Sequence, residues 1–284
     1  MTEQPLVSVG LPCYNRPEML KRAIECIINQ TYKNLEIIIS NDASPNPYIY
    51  EMLDAYAAQD ARIRLYHQKT DLQVYGNYWF VQKEATGKYF MYMQDDDLWE
   101  LDAIELMVAE LEKNPESMLA IGKSAYVDID GTIWRTFNFR YSNVVTFIFG
   151  ERIAFLWMAL WRRDVLRKFD YTGEDVYGKD IIIMAEAVLS CPFSYVDKLL
   201  YYKTIYHEKE KKNMIEDPFC YFRMYGTMLS RIAKSKYVKN RAMLIVLIPA
   251  TAIGLIRVYS SKLLFMLPLN HPIRKTVRKL VAGS

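Results

Sequence analysis

The 284-residue sequence has no glycine-rich turn after its first apolar run, no cysteines spaced as Cys-x-x-Cys, and no apolar stretch of twenty residues. Each absence removes a class of protein. The first strand-like run ends in Leu11-Pro12-Cys13-Tyr14-Asn15, so the chain lacks the glycine loop that cradles phosphates in many nucleotide-binding folds. The four cysteines, Cys13, Cys26, Cys191 and Cys220, lie far apart. Neither a disulfide framework nor a zinc site is indicated, and a reducing compartment fits. Met-Thr-Glu-Gln-Pro at the start has neither the charged nor the apolar region of a secretory leader, so a cytoplasmic body is expected.

Acidic residues are missing from one region altogether. From Phe219 to Ser284 there is no Asp or Glu, yet 12 of the 36 Lys and Arg residues fall there. The remaining 24 cations face all 33 acids, giving a body of about −9 and a tail of +12. Such a tail attracts either an anionic membrane face or nucleic acid. Its cations are interleaved with Leu, Ile, Met and Phe, which favours lipid; no nucleic acid partner is expected. Residues 242–256 are uncharged, but fifteen residues broken by Pro249 fall short of the about 20 that a spanning helix needs. Contact with the inner face of the membrane is the leading expectation, with packing on the body and a true span as alternatives.

What is present is a regular alternation of apolar runs and amphipathic stretches. Strands are expected at 6–11, 35–39, 63–67 and 89–93, and helices from Pro17, up to about Asp60, at 77–86 and at 101–114. Beyond Asn114 the pattern loosens. Strands are expected at 119–129, 132–135, 193–196 and 199–203, and helices at 163–169 and 180–189; residues 138–150 show no period and read as an acceptor loop. The alternation predicts an α/β fold, a Rossmann-like, mostly parallel sheet with helices on both faces. In such sheets ligands bind where the strands end. Here those ends are Pro12 to Arg16, Asn41-Asp42 and Asp95-Asp96-Asp97.

Three adjacent carboxylates after an apolar strand repel one another unless cations or hydrogen-bond donors compensate. Mg²⁺ or Mn²⁺ held by one or two of them together with substrate phosphates is one arrangement that does so; capping of the next helix is the simpler alternative. Asp42 reads either as an acceptor for a base or ribose or as a turn former.

Five segments then carry a resemblance. They are residues 7–15 ending in Pro-Cys-Tyr-Asn, Gln30-Thr31-Tyr32-Lys33-Asn34 with the following Glu-Ile-Ile-Ile, Asn41-Asp42-Ala43-Ser44, Asn77 with Gly87-Lys88-Tyr89, and Asp95-Asp96-Asp97-Leu98-Trp99. In this order they resemble the family 2 glycosyltransferases of GT-A fold, over about residues 6–207. The resemblance implies that Pro12, Tyr14, Asn15, Asp42, Asn77 and Asp95 bind a nucleoside-diphosphate sugar, and that Asp96, with His207, binds Mn²⁺ or Mg²⁺. Gln94 stands where many members carry the first acid of Asp-x-Asp. Asp180, at the start of a helix before Tyr201-Tyr202-Lys203, is the expected general base, with helix capping as its bland role. Trp161-Arg162-Arg163 is similar to a family segment beside the acceptor pocket, or is simply a core Trp with packed arginine stems.

The expected organisation is a catalytic domain over 1–217, with a nucleotide-sugar half at 1–100 and an acceptor half at 101–217, followed by a basic, apolar helical tail at 218–284. The implied activity is inverting, metal-dependent transfer of a sugar to a glycan or lipid-linked acceptor, in polysaccharide or lipid-linked glycan assembly. A sugar nucleotidyltransferase and a catalytically silent membrane scaffold are the rivals.

Overall fold

A computed structural model describes residues 4–139, 151–169, 178–190, 192–205, 220–238 and 247–248. The first half is built of buried parallel strands. β1 (Val7–Cys13), β2 (Leu35–Asn41) and β4 (Tyr89–Tyr92) are buried along their whole length, and β3 (Ile63–His67) closes the edge. Unbroken burial of this kind follows from helices covering both faces of the sheet. α1 (Pro17–Ile28) starts at a proline, which fits a first turn that needs no donor, and buries Leu20, Ala23, Ile24 and Ile27. α2 (Pro47–Gln59), α3 (Gln73–Glu84) and α4 (Ala103–Lys113) supply the other connections.

Among the described residues the strands form one nine-stranded sheet in the order β3-β2-β1-β4-β8-β6-β9-β5, with β7 beside β6. The additional members are β5 (Leu98–Trp99), β6 (Leu119–Val127), β7 (Ile133–Phe137), β8 (Leu160–Arg162) and β9 (Phe193–Thr204). β3, β2, β1 and β4 are parallel, as are β6 and β9, whereas β8 runs against both β4 and β6. The α/β fold expected from the sequence is therefore present, with an antiparallel seam at its centre.

Three details differ from the sequence-based expectation. Residues 193–196 and 199–203 belong to one strand, not two. The polar pair Asp197-Lys198 coincides with register shifts opposite Gly122, Lys123 and Ser124, and Lys123 pairs with Asp197 at 2.6 Å. A bulge accommodates what reads as a break. β5 and β8 have no counterpart among the expected strands, since two or three residues carry no period and form only because their partners are there. α3 begins at Gln73, four residues before the expected Asn77, and Gln73 has a positive φ of 64°.

After β8 come α5 (Arg163–Leu166) with a short 3₁₀ turn (Arg167–Phe169), and then α6 (Lys179–Ser190). α7 (Cys220–Lys234) buries Met224, Met228 and Ile232, and its Arg231 Nε donates to Glu186 of α6 at 2.5 Å. The opening of the basic tail is thus packed on the body. Of the uncharged 242–256 segment only residues 247–248 are described. No helix among the described residues is long and apolar enough to cross a membrane.

Candidate active site

Strand register decides where the motifs meet. Val7 lies opposite both Leu35 and Tyr89, and Gly10 lies opposite Tyr92. Asp95 follows three residues after that last pair and accepts the N–H of Tyr14, the residue after β1, at 3.4 Å. The ends of β1, β2 and β4 open into a cleft of about 550 Å³, and Pro12, Tyr14, Asn15, Asp42, Asn77, Asp95 and Asp96 all line it. Because β1, β2 and β4 run parallel from a common register, the residues that follow them reach one rim although they are far apart in sequence.

Two turns shape the upper wall. Asn15 and Ala43 have left-handed backbone, with φ of 52° and 51°, a conformation asparagine tolerates better than most residues. The Asn15 N–H donates to Ser44 Oγ at 3.0 Å, and the Ser44 N–H donates to Asn41 Oδ1 at 3.3 Å. Tyr14 is left 48% exposed, an aromatic face open to solvent. Asp42 is buried and accepts the Leu72 N–H at 2.7 Å. Burial raises its carboxyl above the ordinary value, opposed by that bond and reinforced by neighbouring Asp71. Asn77 donates from Nδ2 to Ser40 O at 3.0 Å, while its buried Oδ1 has no partner among the described residues. An unpaired buried acceptor is costly, so a water or a ligand group that reaches it is favoured.

The three aspartates separate into two roles. None caps a helix: α4 starts at Ala103, and even Asp102 makes no side-chain capping bond. Asp95 and Asp96 face Arg16, whose Nη1 donates to Asp95 Oδ1 at 3.0 Å and to Asp96 Oδ2 at 2.6 Å. The Tyr14 N–H reaches Asp95 Oδ2 at 3.4 Å. Burial, opposed by Arg16 and reinforced by Asp96, pushes the Asp95 carboxyl up to about 6. Asp97 turns inward, accepting from the Tyr201 hydroxyl and from the Thr204 N–H at 2.8 Å. Thr204 Oγ1 also donates to the Asp96 carbonyl at 2.6 Å. Asp97 therefore ties the loop after β4 to β9.

The family comparison agrees with this geometry. The profile of Glycosyl transferase family 2 matches residues 8–170, more than half of the chain. The chain belongs to glycosyl transferase family 2. An uncharacterized glycosyltransferase of Haemophilus influenzae is 36% identical over 129 residues, 45% of this chain and 39% of that protein. Another, of Methanocaldococcus jannaschii, is 26% identical over 182 residues, 63% of each. The chain spans less than two thirds of the length of these relatives. In fold it is similar to S. aureus TarS 1–349 in complex with UDP-GlcNAc, with a TM-score of 0.71, 14% identity, and coverage of 88% of this chain and 72% of that one.

Asp180 and Trp161 to Arg163, also expected at the site of this family 2 chain, are not among the residues lining the cleft. Asp180 sits in the first turn of α6 and is half-buried. Burial raises its carboxyl above the ordinary value, while the Ile181 N–H, the charge of Lys203 and a hydrogen bond with Tyr75 act against the rise. Tyr75 lies on α3, one residue from Val74 and two from Asn77, both of which line the cleft. Lys203 acts on Asp97 as well as Asp180 and so links the loop after β4 to the start of α6. Sequence reasoning assigns Lys203 no role, although its place beside Tyr201-Tyr202 is an available signal. His207 lies outside the described residues, as do residues 140–150 of the expected acceptor loop. Trp161 is fully buried with its Nε1 donating to Leu156 O at 3.0 Å, and Arg162 reaches Ser117 O and Leu111 O at 2.8 and 2.7 Å. That segment is core support.

The residues present fit a divalent cation. One positively charged nitrogen already lies within 3.0 Å of an oxygen from each of Asp95 and Asp96, and two carboxylates completed by phosphate oxygens are a common oxygen set for Mg²⁺ or Mn²⁺. No group of three or more His, Cys, Asp or Glu is placed to hold a metal among the described residues, so a cation held by this pair would need further ligands from outside it. Gln94 bonds the Tyr78 hydroxyl, which gives it an occupation other than the acid it replaces.

Proposed function

We propose that the chain is an inverting, metal-dependent glycosyltransferase that moves a sugar from a nucleoside-diphosphate donor to an acceptor hydroxyl. One observation carries this reading: Asp42, Asn77, Asp95, Asp96 and the Tyr14-Asn15 turn line a single cleft at the ends of three parallel strands.

Asp42 and the unpaired Asn77 Oδ1 offer acceptors to the N–H and hydroxyl groups of a base and ribose. Tyr14 offers a ring for the base or sugar to stack on. Asp95 takes ribose or sugar hydroxyls, and Asp96 binds the cation, joined by His207. Bound Mn²⁺ or Mg²⁺ supplies positive charge against the departing diphosphate. Asp180 takes the proton from the acceptor oxygen. Its raised carboxyl suits that task, because a base titrating closer to neutrality accepts a proton more readily than an ordinary carboxylate. The charge of Lys203 and a hydrogen bond with Tyr75 favour its ionised form against the effect of burial.

The acceptor is a glycan or lipid-linked glycan under assembly. The acid-free region from Phe219 onward supports this, since a basic surface holds the enzyme at an anionic cytoplasmic membrane face where such acceptors lie. The proposed organisation keeps residues 1–100 as the donor half, 101–217 as the acceptor half and 218–284 as the membrane-associating part.

Thermal-shift measurements with UDP, GDP and their sugars, with and without Mn²⁺, test the donor site. A bound ligand must raise the melting temperature. A diphosphate that stabilises the protein only with Mn²⁺ is the expected result; no shift from any of them removes the donor site.

A further inference from the structure

The cation facing the acid pair belongs to the chain itself. Arg16 Nη1 lies between Asp95 Oδ1 and Asp96 Oδ2, at 3.0 and 2.6 Å. The carboxylate side chains are 11% and 14% exposed and that of the arginine 35%, so the guanidinium covers the acids from the solvent side. Backbone geometry puts it there. Left-handed Asn15, held by Ser44 Oγ, turns the chain, and Pro17 then starts α1, which leaves Arg16 at the helix boundary. A divalent ion on Asp96 needs the carboxylate oxygen that Arg16 Nη1 already holds, and two cations cannot share it.

Charge balance says where the arginine goes. The two carboxylates and Arg16 together carry −1. A divalent ion arriving with a doubly negative diphosphate adds nothing to that sum, so a site containing all of them still needs its arginine. A guanidinium presents several donors in a plane and matches phosphate oxygens as well as carboxylates.

We propose that Arg16 is the resident counter-cation of the donor site and exchanges partners on loading, yielding Asp96 to the divalent ion and taking the diphosphate oxygens. This rests on the donor-site reading above. It makes Arg16 an opponent of the cation alone and an ally of cation and diphosphate together.

Arg16→Gln separates these effects. Mn²⁺ alone is titrated by the loss of its free electron-spin signal, and UDP or GDP by calorimetry at saturating Mn²⁺. Loss of one charge-assisted pair predicts Mn²⁺ alone binding about tenfold tighter than in wild type, and the diphosphate about tenfold weaker. Unchanged or weaker Mn²⁺ binding, or unchanged diphosphate binding, overturns the exchange. Should the melting temperature of Arg16→Gln show that it is not folded, Arg16→Lys carries the test. It keeps the charge but not the planar grip, so Mn²⁺ affinity stays near wild type and diphosphate affinity falls; equal diphosphate affinity overturns the proposal. A wild-type protein that binds neither diphosphate with Mn²⁺ overturns the donor site itself, a result distinct from one in which only the variants behave like wild type.

Discussion

The donor and acceptor halves proposed above assemble their residues by different means. In the donor half, β1, β2 and β4 start in register and run parallel, so the residues after each strand arrive at one rim whatever the helices between them do. In the acceptor half, α6 and β9 are positioned by an antiparallel seam, a bulge and packing against α7. A parallel sheet converts local motifs into a site, whereas the other half needs long-range pairings to place a single carboxylate. Variants on the two sides should therefore fail in different ways.

The largest expected effect is on the donor side. Asp96→Ala removes a cation ligand, and turnover should fall by about a thousandfold or more. Mn²⁺-dependent stabilisation by the diphosphate should vanish with it. Turnover lost with diphosphate binding intact would move the cation site elsewhere. Asp180→Asn is the matching cut on the acceptor side: loss of a general base predicts a drop of about a hundredfold or more, with donor affinity near wild type. Retained turnover would leave Asp180 as a helix cap and reassign the base.

Acidity offers a smaller test of the donor rim. Asp95 titrates near 6 in the free protein, above an ordinary carboxyl, so the folded state holds its proton more readily than the unfolded chain. Through this group the free protein loses stability as pH rises from the ordinary carboxyl value through about 6, and regains it as pH falls. Cation binding at Asp96 runs the other way, because an ionised Asp95 beside it adds negative charge to the site. Mn²⁺ affinity should weaken by at most about tenfold for each pH unit below about 6, and Asp95→Asn should remove that step. A step that survives in Asp95→Asn belongs to another group on the rim.

The same contrast explains what is legible in the sequence. Pro12, Tyr14, Asn15, Asp42, Asn77, Asp95 and Asp96, expected from the sequence to bind donor or cation, all line the cleft. All but Asn77 follow from a strand end and its turn. Arg16 is harder to read because its partners lie 79 and 80 residues away, although its place directly after the Tyr14-Asn15 turn is a usable signal. Asp97 reads like its two neighbours, and only Tyr201 and Thr204, more than a hundred residues later, turn it inward. β8 is three residues of apolar and basic character whose strand state depends wholly on β4 and β6. Periodicity is local information; the acceptor half is organised by contacts that periodicity does not record.

Tyr201→Phe probes the joint between the two halves, and its effect on chemistry should be the smallest. The phenol donates to Asp97 in a buried place, so Phe keeps the ring packed against Trp99 and leaves one carboxylate oxygen without its donor. Leaving a buried acceptor unpaired costs about 1–3 kcal/mol, more if it stays charged, and the melting temperature should fall accordingly. Asp97 is not among the residues lining the cleft, so diphosphate affinity with Mn²⁺ should change by less than about threefold, an energy smaller than one typical hydrogen bond. Asp97→Asn should be milder in stability, because its amide oxygen can still accept from Tyr201 or Thr204. If Tyr201→Phe instead abolishes diphosphate binding at an unchanged melting temperature, Asp97 acts with Asp95 and Asp96 at the rim. The boundary between the halves would then lie inside the acceptor strand rather than at the loop after β4.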